Sequence, residues 1–290
     1  MSVRIGIKLS QQVHPIAAQR GAWRLADEAG FDHIWLFDHL VPIHQAPTEP
    51  IFDGWTLLAA MAENTTKAHI GLNVTGNLYR HPGLLAKIAV TVDHLSNGRL
   101  EMGLGAGWSE AEFRMYGMPF PSAAERIRRL DEACAMLTLL WTEPRASFGG
   151  RFYQLLDAVA EPKPLQRPRP PLWVGGNGPK RTLRVVAERA DVWSCDIWPT
   201  DAKAMEAAYE LATILDGHCA AVGREPASIR RAHALVVDDA EAALAIARAS
   251  VRAGFTDFLL VPVKDLGPGG DPRRGVETAA KLLPRLRALA

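Results

Sequence analysis

The chain has 290 residues, 48% of them hydrophobic and 22% charged, with a formal net charge of +1 at pH 7. That composition fits a packed globular protein of one large domain or two small ones, and its interspersed charges offer no basic stripe to a nucleic acid. No apolar run approaches the roughly 18 residues of a membrane span, and Cys134, Cys195 and Cys219 lack any paired spacing, so a cytoplasmic protein with reduced, buried thiols is expected.

Short apolar runs alternate with helical stretches along the chain. RIGIKL comes first, followed by a helical pattern of Ala17, Ala18, Trp23, Leu25, Ala26 and Ala29 that stops at Gly30, where a helix cap is natural. HIWLF leads through a loop rich in Pro and His into a helix around Trp55 to Glu63. HIGLNV leads into a helix from Pro82 to Leu95, with proline at its start and SNGR as its exit turn. RLEMGLG precedes a helix from near Ala123 to Trp141, PLWVGG one from Pro179 to Arg189, and DVWS one from Thr200 to Val222. IRRAHALVV then precedes a helix from Ala240 to Ala253, and DFLLVPV the last, near Arg273 to Leu289.

These strands are continuous apolar runs, as in a parallel sheet covered on both faces. Eight such units in 290 residues predict an α/β fold of the TIM (β/α)8 barrel type rather than an open doubly wound sheet. Residues 143–171, with a Gly-Gly turn, aromatics and closing prolines, read as a hairpin and connector inserted after the fourth unit. No interdomain linker is visible, so residues 1–290 are expected to form a single barrel domain.

In such a barrel, chemistry sits at the C-terminal ends of the strands. The second strand ends in Asp38 and His39, which either face the active-site mouth or serve as a loop cap and a rim residue. The third ends near Asn73, Thr75 and Asn77, with Gly76 permitting close backbone approach. The fourth runs into GLGAGWSEAEF, where glycines up to Gly107 clear a surface and Trp108 offers a flat one. This is G-x-G-x-G without the complete dinucleotide fingerprint, so a Rossmann site is not expected.

The fifth strand gives WVGGNGPKRTLR. Gly175, Gly176 and Gly178 lie just before a helix with Lys180 and Arg181 in its first turn, which fits a phosphate cradle; a tight left-handed turn with solvated cations is the other reading. His44 and Trp55, after the second strand, line a substrate pocket or belong to a plain surface loop, and Trp193 and Trp198 are wall or core. The remaining histidines show no metal spacing, no H-x-H marks the first strand, and no G-x-S-x-G elbow occurs, so no metal is expected. The mouth suits a large, flat, phosphorylated ligand.

IWLFDHL, NLYRHPGLLAKIAVTVDHLSNGRLEMGLGAGWSEAEF and PPLWVGGNGPKRTLRVVAERADVWS resemble the luciferase-like monooxygenase superfamily, and most of all its oxidoreductases that use the deazaflavin coenzyme F420; FMN-dependent members share most of these stretches. The resemblance runs from Arg4 to about Leu260 and implies a barrel with the flavin-type ring across its mouth. It implies that Asp38 contacts the ring or ribityl chain and that His39 sits over the reactive face as acid or base. A non-prolyl cis peptide is implied on the third strand, here Leu72–Asn73, with Thr75 at the ring's edge and Gly175, Gly176, Asn177 and Gly178 on the phosphate. The family's sugar-phosphate dehydrogenases carry a glutamate after the fourth strand's glycines and a lysine after the sixth strand. This chain has Trp108 and SCDIWP there, which makes glucose 6-phosphate a poor candidate substrate. Glu110 and Glu112 stand near enough to substitute as acid, but solvation is their expected state.

The expected activity is hydride transfer between F420 and a small organic substrate, with His39 handling the proton and, by family resemblance, a homodimeric assembly. The alternatives are an FMN-dependent monooxygenase and a non-catalytic barrel subunit.

Overall fold

The computed structural model describes residues 3–43, 45–197 and 202–289. Its elements begin with β1 (Arg4–Lys8), α1 (Ile16–Ala29), β2 (His33–Leu36), α2 (Gly54–Asn64), β3 (His69–Leu72), the two-residue β4 (Thr75–Gly76) and α3 (Pro82–Leu95). There follow β5 (Leu100–Gly105), α4 (Glu110–Met115), α5 (Ala123–Thr142), β6 (Ala146–Gly149), β7 (Gln154–Ala158), β8 (Leu172–Gly175), α6 (Thr182–Arg189), β9 (Val192–Cys195) and α7 (Ala202–Ala221). The chain ends with β10 (Arg230–Val236), α8 (Ala240–Arg252), β11 (Asp257–Val261), α9 (Val263–Leu266), α10 (Pro272–Ala280) and α11 (Leu283–Arg287).

Eight strands pair in parallel around a closed ring, β1 with β2, then β3, β5, β8, β9, β10 and β11, which returns to β1. The expected TIM barrel is therefore present, and β4 continues the line of β3 alongside β5. The expected insertion is an antiparallel ribbon in which β6 pairs with β7. No helix among the described residues is long and apolar enough to cross a membrane.

Two expectations at helix ends are corrected. The helix after β8 starts at Thr182 and not at Pro179, because residues 179–181 form a turn. The last helix divides into α10 and α11 at Pro284, whose ring removes the amide hydrogen a continuous helix would use there. The three thiols are buried and free as expected, and burial pushes Cys134 and Cys195 up to about 12.

Apolar packing forms two shells. The larger lies between strands and helices, while Trp35, Trp173, Val192, Ala232 and Leu259 form an inner cluster. Trp35 meets Trp173 edge-on with ring centroids 4.6 Å apart. Gly71 makes room for this pair, since a Cβ there would fall 2.4 Å from Trp35 Cζ3.

Below the tryptophans, charged residues near the strands' amino ends seal the barrel. Glu101 accepts hydrogen bonds from Trp173 Nε1 at 2.6 Å and from Arg4 at 2.9 Å, and Arg230 donates to Asp257 at 2.7 Å. Burial alone would raise the Glu101 carboxyl, but the bond to His69 and the Arg4 and Arg230 charges bring it down to about 2. With folding charges at that end, the carboxyl ends are left for a site.

Candidate active site

A cavity of about 520 Å³ opens at the carboxyl ends of the strands, reaching from Lys8 on β1 to Gly76 on β4, Gly105 on β5 and Ser194 on β9. Beyond β2 the chain leaves the sheet at Phe37, and two glutamines following β1 hold it in place. Gln11 bonds both the N–H and the carbonyl of Phe37, and Gln12 does the same for Ile43 at 3.0 and 3.2 Å. The segment carrying Asp38 and His39 is thus tied at both ends.

Asp38 lines the cavity, yet both its oxygens are engaged. Arg80 donates to them at 2.6 and 3.2 Å, Thr75 donates its hydroxyl at 3.1 Å, and Trp55 Nε1 donates to Thr75 at 2.7 Å. Burial raises the Asp38 carboxyl and Arg80 opposes it. Trp55, expected in the substrate pocket, is instead packed behind Thr75 and does not line the cavity. Leu72 is likewise buried away from it.

His39 meets a buried carboxylate. Its Nδ1 lies 2.8 Å from Glu112 Oε1, while Glu112 Oε2 accepts the Leu40 N–H at 2.8 Å and Tyr79 donates its hydroxyl to Oε1. A carboxylate held this way is an acceptor only, which assigns the proton to Nδ1 in the neutral ring and leaves Nε2 as the reactive nitrogen. The expectation of a solvated Glu112 is therefore corrected. Phe113 stacks on Tyr79 at 4.9 Å, so α4 turns its 112–113 edge inward, and Glu112 is fully buried. Burial works against ionisation of Glu112, but its three hydrogen bonds prevail and hold the carboxyl below its ordinary range; burial and that carboxylate push the Tyr79 hydroxyl well up. Glu110 on the same helix is exposed and pairs with Arg114, as expected.

The cavity floor is polar. Lys8 Nζ stands 3.5 Å from Asn73 Oδ1, Asn73 Nδ2 donates to Ser194 Oγ at 2.9 Å, and Asp196 opposes the loss of charge that burial imposes on Lys8. The non-prolyl cis bond is Asn73–Val74, one residue beyond the expected Leu72–Asn73.

Gly107, Trp108, Gly175 and Gly176 line the cavity, and the Trp108 ring lies 5.4 Å from His39. The expected cradle differs in detail. Gly176, at φ +125°, spends its N–H on the Ser194 carbonyl at 3.2 Å and its own carbonyl on Trp193 Nε1 at 3.0 Å, so it turns the chain without offering an amide. Asn177 accepts the Asp196 N–H, and a Cβ on Gly178 would fall 2.6 Å from Thr182 Oγ1. Lys180 and Arg181 are exposed and lie off the cavity wall. Trp193 belongs to the core, and His44 and Trp198 lie outside the described residues.

Tyr79, Arg80, Gln11 and Gln12 were not singled out as site residues by the sequence reading, which named Glu112 beside Glu110 as a substitute acid but expected it to be solvated. The YRHP stretch just before α3 was a usable signal, because it places polar residues directly after a strand end.

A closed (β/α)8 barrel with a carboxylate-held imidazole at its mouth defines an enzyme-like protein of the barrel class. The chain belongs to the luciferase-like monooxygenase family, whose model matches residues 1–281. It is 34% identical over 160 residues to an F420-dependent glucose-6-phosphate dehydrogenase of Microbacterium testaceum, covering 54% of this chain and 46% of the relative. A protein of the same description from Beutenbergia cavernae is 33% identical over 195 residues, covering 67% and 56%. An FMNH(2)-dependent dimethylsulfone monooxygenase of Pseudomonas putida is 39% identical over 112 residues, covering 39% and 30%. The chain thus spans about half the length of the first curated relatives it matches. In fold it is similar to an F420-dependent secondary alcohol dehydrogenase solved with an F420-acetone adduct, at a TM-score of 0.83 and 18% identity over 99% of both chains.

Proposed function

We propose that the protein is an F420-dependent oxidoreductase, a single barrel domain working as a homodimer, that moves a hydride between the cofactor and a small organic substrate. The observation that carries this reading is the His39–Glu112 pair at 2.8 Å on the rim of the cavity. The F420-dependent relatives support the choice of cofactor.

The residues present suit a flat tricyclic cofactor. The cavity is walled by Gly105, Gly107, Gly175 and Gly176, which keep side chains out of its volume, and floored by the polar groups of Asn73 and Ser194. When bound, the deazaflavin supplies the carbon that gives or takes the hydride. His39 exchanges the accompanying proton through Nε2, since Glu112 occupies Nδ1 and stabilises the imidazolium. Tyr79 and the Leu40 N–H keep Glu112 from swinging away. Asp38 does not move a proton in this scheme; held by Arg80, it fixes Thr75 beside the cofactor.

The second reading, an FMN-dependent monooxygenase, is favoured by the likeness to the Pseudomonas putida enzyme. Equilibrium binding of the purified protein to F420 and FMN in parallel separates the two. Micromolar binding of F420 is expected; micromolar binding of FMN without F420 overturns the proposal.

A further inference from the structure

Trp108 stands on the rim of the cavity with most of its ring uncovered. Beyond β5, Gly107 takes φ +80°, a left-handed turn that glycine makes without strain, and the chain leaves the barrel at Trp108 just before α4. The Trp108 carbonyl accepts the Glu110 N–H at 3.0 Å, which fixes the backbone, yet the residue is 63% exposed although it lines the cavity. Its ring meets the His39 imidazole edge-on, with centroids 5.4 Å apart at 68°. Phe37, a buried residue of the same cavity, meets that imidazole at 5.9 Å and 64°. Tyr116, at the end of α4, is exposed as well and donates its hydroxyl to the Leu40 carbonyl at 3.2 Å. Aromatic side chains therefore flank the segment that carries His39.

The imidazole decides which molecule meets that surface. Glu112 occupies Nδ1, so Nε2 is the nitrogen left for the oxygen of a substrate. A substrate whose oxygen reaches Nε2 brings the rest of its frame within reach of the rings that touch the same imidazole, and of Phe37 and Trp108 only Trp108 has a large area left to cover. An indole offers on the order of 150–250 Å² of apolar surface, and a flat ring laid on it adds a stacking preference to the gain from burial. We propose that Trp108 is the platform for the substrate's own ring, and that the substrate is an alcohol or carbonyl compound with an aromatic group next to the reacting carbon. The inference rests on the functional reading above and names the substrate class of that site.

The test separates flatness from size with two unreactive amides of the same carbon skeleton, benzamide and cyclohexanecarboxamide. Their dissociation constants are measured by ligand-observed NMR on the wild type, Trp108→Leu and Trp108→Phe, with and without F420, and F420 affinity is followed in parallel by fluorescence; melting curves check that the barrel is intact. The wild type is expected to prefer benzamide by about 3- to 10-fold. Trp108→Leu, which stays apolar but is no longer flat, should abolish that preference, and Trp108→Phe should keep most of it, while F420 affinity stays within about twofold in both. Equal affinities in the wild type, a preference that survives in Trp108→Leu, or a wild type that binds neither amide would overturn the inference. A loss of F420 affinity in Trp108→Leu as large as the loss of benzamide would give the indole to the cofactor and overturn it too. If the wild type shows the expected preference but does not bind F420, the functional reading fails and the platform stands without it; if F420 binds and the preference is missing, only the platform fails.

Discussion

Glu112 Oε1 lies 2.8 Å from His39 Nδ1, joining the helical turn after β5 to the loop after β2 across 73 positions of sequence. Because Glu112 also accepts from Leu40 and Tyr79, it sets both the direction of the imidazole and the path of the chain that carries it. Glu112→Gln is therefore expected to lower kcat by about 10- to 100-fold while F420 affinity stays within about twofold. Steady-state kinetics with a turned-over substrate, beside binding titrations, check the split. A change in KM alone would reduce Glu112 to a loop support.

His39→Ala should leave cofactor affinity nearly intact and cut turnover by roughly 10²- to 10⁴-fold, the usual worth of a positioned acid–base group. Full turnover in this variant would place the proton elsewhere in the mouth.

Asp38 makes a different prediction from its neighbour. Its side chain is only 1% exposed and pairs with Arg80, so Asp38→Ala leaves a cation without its buried partner. A loss of about 3 kcal/mol of stability is expected in denaturant unfolding, together with weaker cofactor binding. A variant as stable as the wild type would show that Asp53, which Arg80 also contacts at 2.9 Å, is counter-ion enough.

Glu101 predicts a pH dependence. Its carboxyl is held down to about 2 in the folded protein, against an ordinary value of 4.5. The stability it contributes is present above its unfolded pKa and is lost as pH falls through the range from about 4.5 toward 2. Melting curves between pH 6 and 3 should show a wild-type decline that is shallower in Glu101→Gln, although that variant starts from a lower stability. Parallel declines would place the acid sensitivity in other groups.

Gly71→Ala tests the inner packing. Its Cβ would stand 2.4 Å from Trp35 and 2.5 Å from the Glu101 carbonyl, so a loss of about 2 kcal/mol or more is expected in urea unfolding. Neutrality would mean that the tryptophan pair shifts freely.

The barrel was legible in the sequence because a parallel strand buried on both faces is written as a continuous apolar run, and HIWL and DFLLV need no partner to be recognised. Helix ends were legible where a residue carries the signal, as Pro82 and Gly30 do. Proximity between strand ends was not. Nothing local in SEAEF distinguishes Glu110, which faces water, from Glu112, which is buried against His39; the stacking of Phe113 on Tyr79 decides it. The glycines after β8 were read as a phosphate cradle, with a tight turn as the other reading; the Gly176 amide instead belongs to the barrel, a commitment set by Ser194 on another strand.

β1 begins at Arg4 and ends at Lys8, and its two cations serve opposite ends of the barrel, one in the layer that seals it and one on the floor of the mouth. No member of the sealing layer around Glu101 and Asp257 lines the cavity. Selection can therefore exchange groups around the rim, and with them the molecule that is turned over, without disturbing the charges on which folding depends. A lineage built on this plan has room to diverge in chemistry while its architecture stays the same.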